Sequence, residues 1–171
     1  VSRGLGDVYK RQKEDGKFIY NGDEPLLEER AAKIKQDKST FGFREEDTVF
    51  ATTFRSYMHH ATFEVNDSEQ QFKIPMIGKH NVSNALAAIS VGRHFGENDE
   101  QIAQALANFT PTANRMQWKK GDVGEAIMDD VYNSNPTAVK AVTTSFGQVM
   151  VKDGGRRIAV LGDMFCLLYT S

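Results

Sequence analysis

The feature that most constrains the fold is a change of side-chain pattern at Pro75. Before Pro75, residues 62–65 and 71–74 alternate apolar and polar side chains, and the polar residues 66–68 separate the two segments. Alternation with a period of two around a turn predicts a β-hairpin. After Pro75 the apolar spacing becomes helical. The pattern therefore predicts an α/β fold in which helices cover a sheet.

The residues before the hairpin contain two more strand patterns and one helix pattern. Residues 18–20 form a short apolar run closed by a turn, and residues 48–54 are rich in β-branched and aromatic side chains. Between them, Pro25 precedes two leucines and a charged run to Lys38, which predicts one helix with proline in its first turn. Together with the hairpin, these strands predict a small antiparallel or mixed sheet.

Two helices are predicted after the hairpin. The alanine-rich residues 85–95 form a closely packed helix that Gly96 ends. Asn98 and Gln101 have the spacing of a capping box, which predicts the start of a second helix. Two helices joined by so short a turn form an αα-hairpin.

A new unit is predicted after a linker at residues 110–114. Residues 125–130 are typical of a strand, and Asn135 followed by Pro136 is typical of the start of a helix. The apolar residues 157–161 predict a buried parallel strand. Strand, helix and strand make one βαβ unit, the beginning of a doubly wound α/β domain.

The two ends show no periodicity. Residues 1–12 and 166–171 resemble translated adaptor sequence, and we exclude them from the fold prediction as adaptor-derived tails. The remaining chain divides into two partial domains, residues 13–111 and residues 112–165.

Composition argues against several functional classes. Lys and Arg total 21 against 23 Asp and Glu, so there is no basic excess to neutralise nucleic-acid phosphates. The single cysteine, Cys166, precludes an internal disulfide framework. No apolar run approaches the roughly 18–20 residues that cross a bilayer. We therefore expect a cytoplasmic, monomeric protein that neither binds nucleic acid nor inserts into a membrane.

The most informative run is GKHNVSNALAA, residues 78–88. Asn81 and Asn84 are spaced so that they share one face at the start of a helix. Each amide offers a donor and an acceptor, a combination that suits the edge of a nucleobase. Alternatively, the run is an asparagine cap followed by an ordinary alanine-rich helix. His80 would then have a structural role.

Two further candidates follow the linker. Arg115 lies at the proposed domain junction, where a guanidinium can bind a phosphate bidentately, and a surface arginine is the alternative. Asp129 and Asp130 end a strand where ligands of α/β folds usually lie, and an acid there can accept hydrogen bonds from ribose hydroxyls. Simple turn chemistry explains this pair equally well. His59 and His60 are adjacent and would point to opposite faces of a strand, so no metal site is predicted.

Four motifs in order resemble one family. GKHNVSNALAA, TANRM, IMDDVYNSNPTAVKA and RIAVLGDMF strongly resemble the Mur ligases, and YNGDEP resembles the family's Asn-x-Asp-Asp/Glu-Pro stretch. The Asp-Asp-x-Tyr-Asn-x-Asn-Pro run and the Leu-Gly-Asp-Met ending are typical of the member that adds D-alanyl-D-alanine to UDP-N-acetylmuramoyl-tripeptide. The resemblance covers about residues 18–165.

The resemblance implies a three-domain bacterial enzyme of peptidoglycan synthesis. This chain would supply the second half of its central ATPase domain, a mixed sheet with helices, and the start of a Rossmann-like C-terminal domain. ATP phosphorylates the carboxylate of the tripeptide, and the amine of D-alanyl-D-alanine attacks the acyl phosphate to form an amide. Mg²⁺ holds the phosphates during this reaction.

The resemblance also implies an ATP site at the junction of the two partial domains. Asn81 and Asn84 would lie on its adenine side, and His80 would help to set the loop. Arg115 would reach toward the phosphates. Asp130 would bind the ribose, with Asp129 as the alternative aspartate. The side chains expected to shape the nucleotide or acceptor side of the cleft are Tyr132, Asn133 and Asn135.

Some parts of the family's machinery have no counterpart in the sequence. No Gly-x-x-x-x-Gly-Lys-Ser/Thr loop occurs, and the magnesium-binding glutamate and carbamylated lysine of the family are expected upstream. The chain by itself is therefore predicted to be inactive, with no catalytic residue of its own. One alternative is a sister ligase or a folylpolyglutamate-type synthetase, which residues 131–136 disfavour because they lack a Tyr-x-His-x-Pro arrangement. Another is a non-catalytic nucleotide-binding module.

Overall fold

A computed structural model describes residue 13, residues 15–132 and residues 134–162. The predictions for Asn133 and for the two ends lie outside these residues. Within the described part, seven strands and four helices follow one another along the chain. They are β1 Lys17–Asn21, α1 Pro25–Ala31, β2 Asp37–Gly42, β3 Val49–Ser56, β4 Ala61–Val65, β5 Gln71–Ile74, α2 Lys79–His94, α3 Asp99–Ala107, β6 Gln117–Lys120, β7 Ala126–Asp129 and α4 Pro136–Gln148.

The five strands from β1 to β5 form one mixed sheet in chain order. The β1–β2 and β2–β3 pairs are parallel, and the β3–β4 and β4–β5 pairs are antiparallel. The predicted mixed sheet with helices is confirmed. The predicted hairpin is also confirmed, with Phe63 opposite Phe72 in the β4–β5 register.

The main hydrophobic core lies between this sheet and the helices α2 and α3. Phe63 and Phe72 are almost fully buried and stack with ring centroids 5.6 Å apart. From α2, Leu86 and Ile89 are fully buried against them. Burial of such large side chains contributes about 1.5–3 kcal/mol each, so this core accounts for the position of α2 on the sheet.

The first predicted helix is shorter than expected. The helix α1 ends at Ala31, and residues 37–42 form the strand β2 instead of the last turns of a helix. β2 lies between β1 and β3: residues 37–41 pair with β1, and Phe41 and Gly42 pair with β3. The Thr40 and Thr48 hydroxyls each accept a hydrogen bond from the other residue's backbone N–H, at 2.9 and 3.1 Å. Tertiary pairing therefore outweighs the helical preference of the charged run.

The second unit begins as predicted and then departs from the prediction. The strand β7 pairs antiparallel with β6, which the sequence pattern did not predict. The Asn135 side chain accepts a hydrogen bond from the backbone N–H of Ala138 at 2.9 Å, which confirms it as the N-cap of α4. In contrast, the prediction of a strand at residues 157–161 is wrong, since these residues have no ladder partner in the described structure.

A cavity lies beside the segment at residues 157–161. It has a volume of about 640 Å³ and separates this segment from β7 and α4. Ile158 is 65% exposed and Val160 is 91% exposed. An apolar run indicates a tendency toward burial, but it does not specify an edge with which its backbone can pair. The observed unit is therefore a strand and a helix, not a complete βαβ unit.

A smaller apolar cluster joins the two sheets. Its buried members are Ile77, Met116 and Val149, which come from the entrance to α2, the linker and the end of α4. The division into residues 13–111 and 112–165 stays a prediction. None of the helices in the described ranges has the length and apolarity that a membrane span requires.

Candidate functional site

The linker before β6 has an unusual backbone. Asn114 and Met116 both have positive φ, at 60° and 46°. Asparagine tolerates this region, but methionine seldom adopts it. Two hydrogen bonds tie the linker to the end of β7: the Met116 N–H donates to Asp130 Oδ1 at 3.0 Å, and the Tyr132 N–H donates to the Asn114 carbonyl at 3.2 Å. The conformation of Arg115 is therefore held on both sides.

Arg115 presents an available cation at this linker. Its guanidinium carbon lies 4.4 Å from the centroid of the Tyr132 ring, and its side chain is exposed. Among the described residues, Arg115 has no carboxylate partner. A stacked guanidinium keeps its N–H groups at the edge, where they can donate to an anion.

The two asparagines of α2 have different surroundings. Asn81 is buried, and its Nδ2 donates to the Ile77 carbonyl at 2.8 Å and to Met116 Sδ at 3.3 Å. Asn84 is exposed. Residues three apart on a helix are rotated by about 60°, which is enough for one to face the junction and the other to face solvent. The expected pairing of both amides on one ligand edge stays a prediction.

His80 lies near Ser145 of α4, with Gly78 close to both. A Cβ atom at Gly78 would be 2.8 Å from His80 Cε1 and 2.6 Å from Ser145 Oγ, so a larger residue there would require these side chains to move. Burial lowers the pKa of the His80 imidazole below its ordinary value, and the nearby charge of Asp130 opposes this shift. The effect of Asp130 on this pKa indicates that its carboxylate lies near His80. Their shared place in an ATP site stays a prediction.

The two adjacent aspartates are distinguished by their partners. Asp129 forms an ion pair with Lys119 across the β6–β7 hairpin, and its Oδ1 is buried without a hydrogen-bond partner in the described structure. Asp130 instead accepts from the backbone of Met116. The geometry thus places Asp130 at the linker and Asp129 within the hairpin.

The remaining predicted residues are also located. The side chain of Tyr132 lies against Arg115, and that of Asn135 caps α4. The sequence analysis missed three junction residues, Met116, Ile77 and Ser145. No pattern in the sequence indicates them, because each acquires its role through a long-range contact.

A second polar cluster lies at the carboxyl ends of β1 and β2. The Asp23 carboxylate accepts from the Phe43 N–H, and the buried Asp47 carboxylate accepts from the backbone N–H and guanidinium of Arg44. Asp23 is the aspartate of the YNGDEP run, and its hydrogen bond with Phe43 closes a loop. In the described part of the chain, no three histidine, cysteine or carboxylate side chains converge as metal ligands.

The position of His80 predicts a pH-dependent stability. Because folding disfavours the protonated imidazole, the unfolded chain binds a proton first as the pH falls below about 6.5, and the free energy of unfolding decreases. We expect this decrease between about pH 7.5 and about pH 5.5. The variant His80→Gln cannot titrate and should lose less stability over this interval. Urea denaturation at both pH values measures the difference.

The His80 result has an internal control. Burial also lowers the pKa of His60, so His60→Gln reports the contribution of a histidine outside the junction. Equal pH dependence in the wild-type chain and in His80→Gln would show that the imidazole is not held neutral by its position.

The fold and the junction together define an α/β protein with an exposed arginine at a constrained linker. The Mur ligase middle domain profile matches residues 6–92. A UDP-N-acetylmuramoyl-tripeptide–D-alanyl-D-alanine ligase of Bacillus subtilis is 38% identical over 158 residues, covering 92% of this chain and 34% of the relative. A UDP-N-acetylmuramate–L-alanine ligase of Cereibacter sphaeroides is 39% identical over 128 residues, covering 71% of this chain and 26% of the relative.

Solved structures give the same result. MurF from Acinetobacter baumannii superposes with a TM-score of 0.73 at 26% identity, covering 83% of this chain and 31% of that protein. MurF ligase from Thermotoga maritima in complex with ADP has a TM-score of 0.68 at 20% identity, with 83% and 33% coverage, and shows the shared fold. This chain belongs to the Mur ligase family. It spans between a quarter and about a third of the length of these curated relatives.

Proposed function

We propose that this chain supplies the junction side of the ATP site in a ligase that adds D-alanyl-D-alanine to UDP-N-acetylmuramoyl-tripeptide. The observation that carries the proposal is the exposed Arg115 guanidinium, held by the linker beside Asp130 and without a carboxylate partner among the described residues. An unneutralised cation at such a hinge suits the phosphates of a nucleotide.

The contacts of each polar side chain at the junction decide which hydrogen-bond donors and acceptors it can still offer to a ligand. Arg115 can donate to phosphate oxygens, and Asp130 keeps Oδ2 to accept from a ribose hydroxyl, since Oδ1 accepts from Met116. Asn84 is exposed and can offer both its donor and its acceptor to a base. Asn81 uses its amide hydrogens for Ile77 and Met116, so only its carbonyl oxygen remains for a ligand.

These capacities assign the chain a binding and orienting role. When bound, ATP supplies the phosphoryl group that activates the carboxylate of the acceptor peptide. Arg115 stabilises negative charge on the phosphates, and its preset position avoids reorganisation when that charge develops. Because burial lowers the pKa of His80, its imidazole adds little positive charge at the junction at neutral pH. We further propose that Mg²⁺ accompanies ATP at this site and would be held with the phosphates, its protein ligands being those that the family resemblance implies upstream.

The choice of D-alanyl-D-alanine as the added group rests on the extent of the similarity. The Bacillus relative named for this substrate covers 92% of the chain, whereas the Cereibacter relative named for L-alanine covers 71% at similar identity. The run DDVYNSNP adds support from the sequence. A ligase for L-alanine is the second candidate. We place either activity in peptidoglycan precursor synthesis in the bacterial cytoplasm.

Reciprocal chimeras test the substrate. Residues 13–162 replace the matching segment of the Bacillus D-alanyl-D-alanine ligase in one protein and that of the Cereibacter L-alanine ligase in the other. Interfaces between the segments and their hosts are expected to match only in the first chimera. ATP-dependent phosphate release with each host's own substrates is the measurement. We expect activity from the Bacillus chimera and a loss of activity in the other.

Circular dichroism and the unsubstituted hosts serve as controls for folding and for the assay. Activity confined to the Cereibacter chimera would contradict the proposal and would favour the L-alanine ligase.

A further inference from the structure

The Arg115 guanidinium lies over the Tyr132 ring, and no hydrogen bond or ion pair in the described structure engages its N–H groups. The guanidinium carbon lies 4.4 Å from the ring centroid, well within the range of a cation–π interaction. A carboxylate partner would compete with an incoming phosphate for the N–H donors. An aromatic ring holds the same cation without occupying those donors.

The same segment also holds the backbone of Arg115. The Tyr132 N–H donates to the carbonyl of Asn114, and the Asp130 carboxylate accepts from the N–H of Met116. These two hydrogen bonds flank Arg115 on both sides. Residues 130–132 therefore determine both where the Arg115 backbone lies and where its side chain points.

Packing does not explain the position of the Tyr132 ring. Tyr132 is 62% exposed and belongs to neither of the two buried apolar clusters. An aromatic ring so exposed gains little from burial, so its contact with the guanidinium is its main interaction in the described structure.

We propose that Tyr132 is a positioning residue that holds the Arg115 guanidinium against its ring, with the N–H edge available to the phosphates of a nucleotide. The ligand in this inference rests on the proposed function, whereas the contact itself does not. Tyr132 acts through Arg115, and its hydroxyl is not required. Phenylalanine should therefore replace it, and leucine should not.

The first measurement tests the contact in the complete 171-residue chain. Ring currents shift protons above an aromatic face upfield, so the Arg115 Hδ and Hε resonances should be upfield in the wild-type chain. The shift should persist in Tyr132→Phe and disappear in Tyr132→Leu. Tyr57→Leu is the matched control, because Tyr57 is also exposed and stacks on an imidazole away from Arg115.

The second measurement tests the consequence by titrating the Bacillus chimera and its variants with ADP. Tyr132→Leu should weaken ADP binding by about two- to five-fold, the range expected for an exposed cation–π contact. Tyr132→Phe should bind as the wild-type chain does. In an Arg115→Ala background, Tyr132→Leu should have no further effect, because the interaction that it removes is already absent.

The two measurements separate the possible failures. Unshifted Arg115 resonances in the wild-type chain, or an equal loss of affinity from Tyr132→Leu with and without Arg115, would overturn the positioning role. A ring-current shift that depends on Tyr132, together with an ADP affinity of the chimera that neither Tyr132→Leu nor Arg115→Ala changes, would overturn the nucleotide phosphates as the ligand of Arg115 and with them the proposed function. Loss of binding in Tyr132→Phe would transfer the role from the ring to the hydroxyl.

Discussion

Replacing Arg115 by alanine is expected to lower the ATP-dependent rate of the Bacillus chimera by about 30- to 1000-fold, equivalent to about 2–4 kcal/mol of transition-state stabilisation. The reason is the loss of a preset cation from the phosphates. Arg115 has no competing carboxylate in the described structure, so its charge is not already neutralised. Steady-state kinetics over a range of ATP concentrations gives both the turnover number and the KM for ATP.

Two variants calibrate the Arg115 result. Arg30→Ala removes an exposed arginine from α1 and should leave the rate unchanged. Asp130→Asn should cost less than Arg115→Ala, because the amide oxygen can still accept from Met116 while the NH₂ group can donate to a ribose hydroxyl oxygen. Near-normal turnover and ATP affinity in Arg115→Ala would identify Arg115 as a surface residue and would contradict the proposed site.

Replacing Gly78 by alanine is expected to reduce the free energy of unfolding by about 2–5 kcal/mol. Gly78 has φ of 95°, and an added Cβ would lie 2.6 Å from Ser145 Oγ and 2.8 Å from His80 Cε1. Backbone strain and overpacking thus add at one position. Urea denaturation of the 171-residue chain measures the loss.

Gly96→Ala separates the two causes. Gly96 also has positive φ, 86°, but no atom lies within 4 Å of its added Cβ. Its substitution should cost only the strain, about 1–2 kcal/mol. Equal losses in the two variants would show that α2 and α4 do not meet closely at Gly78.

Local spacing was sufficient to predict the elements whose partners are close in the chain. Spacing alone predicts the hairpin of β4 and β5 and the Asn135 cap of α4, and both are present. The Asn98–Gln101 capping box was predicted in the same way, and both of its hydrogen bonds are present. In each case the interacting groups lie within a few residues, so the pattern contains the whole interaction.

Elements that depend on distant partners were predicted less well. The strand β2 has a charged, helix-favouring sequence, yet pairing with β1 and β3 decides its conformation. The apolar residues 157–161 have the composition of a strand but find no edge to pair with in the described structure. Composition reports the solvent preference of a segment, whereas a ladder requires a neighbour at the correct distance.

The sequence by itself determined the family and the region of the candidate site, because the order of four short motifs is specific even where each motif is weak. Only the tertiary structure decided how the side chains are arranged there. It directs the Asn81 amide to Met116, 35 residues away, ties Asp130 to the linker and stacks Arg115 on Tyr132. Such contacts join residues whose spacing has no helical or strand period, so they arise only when the chain has folded.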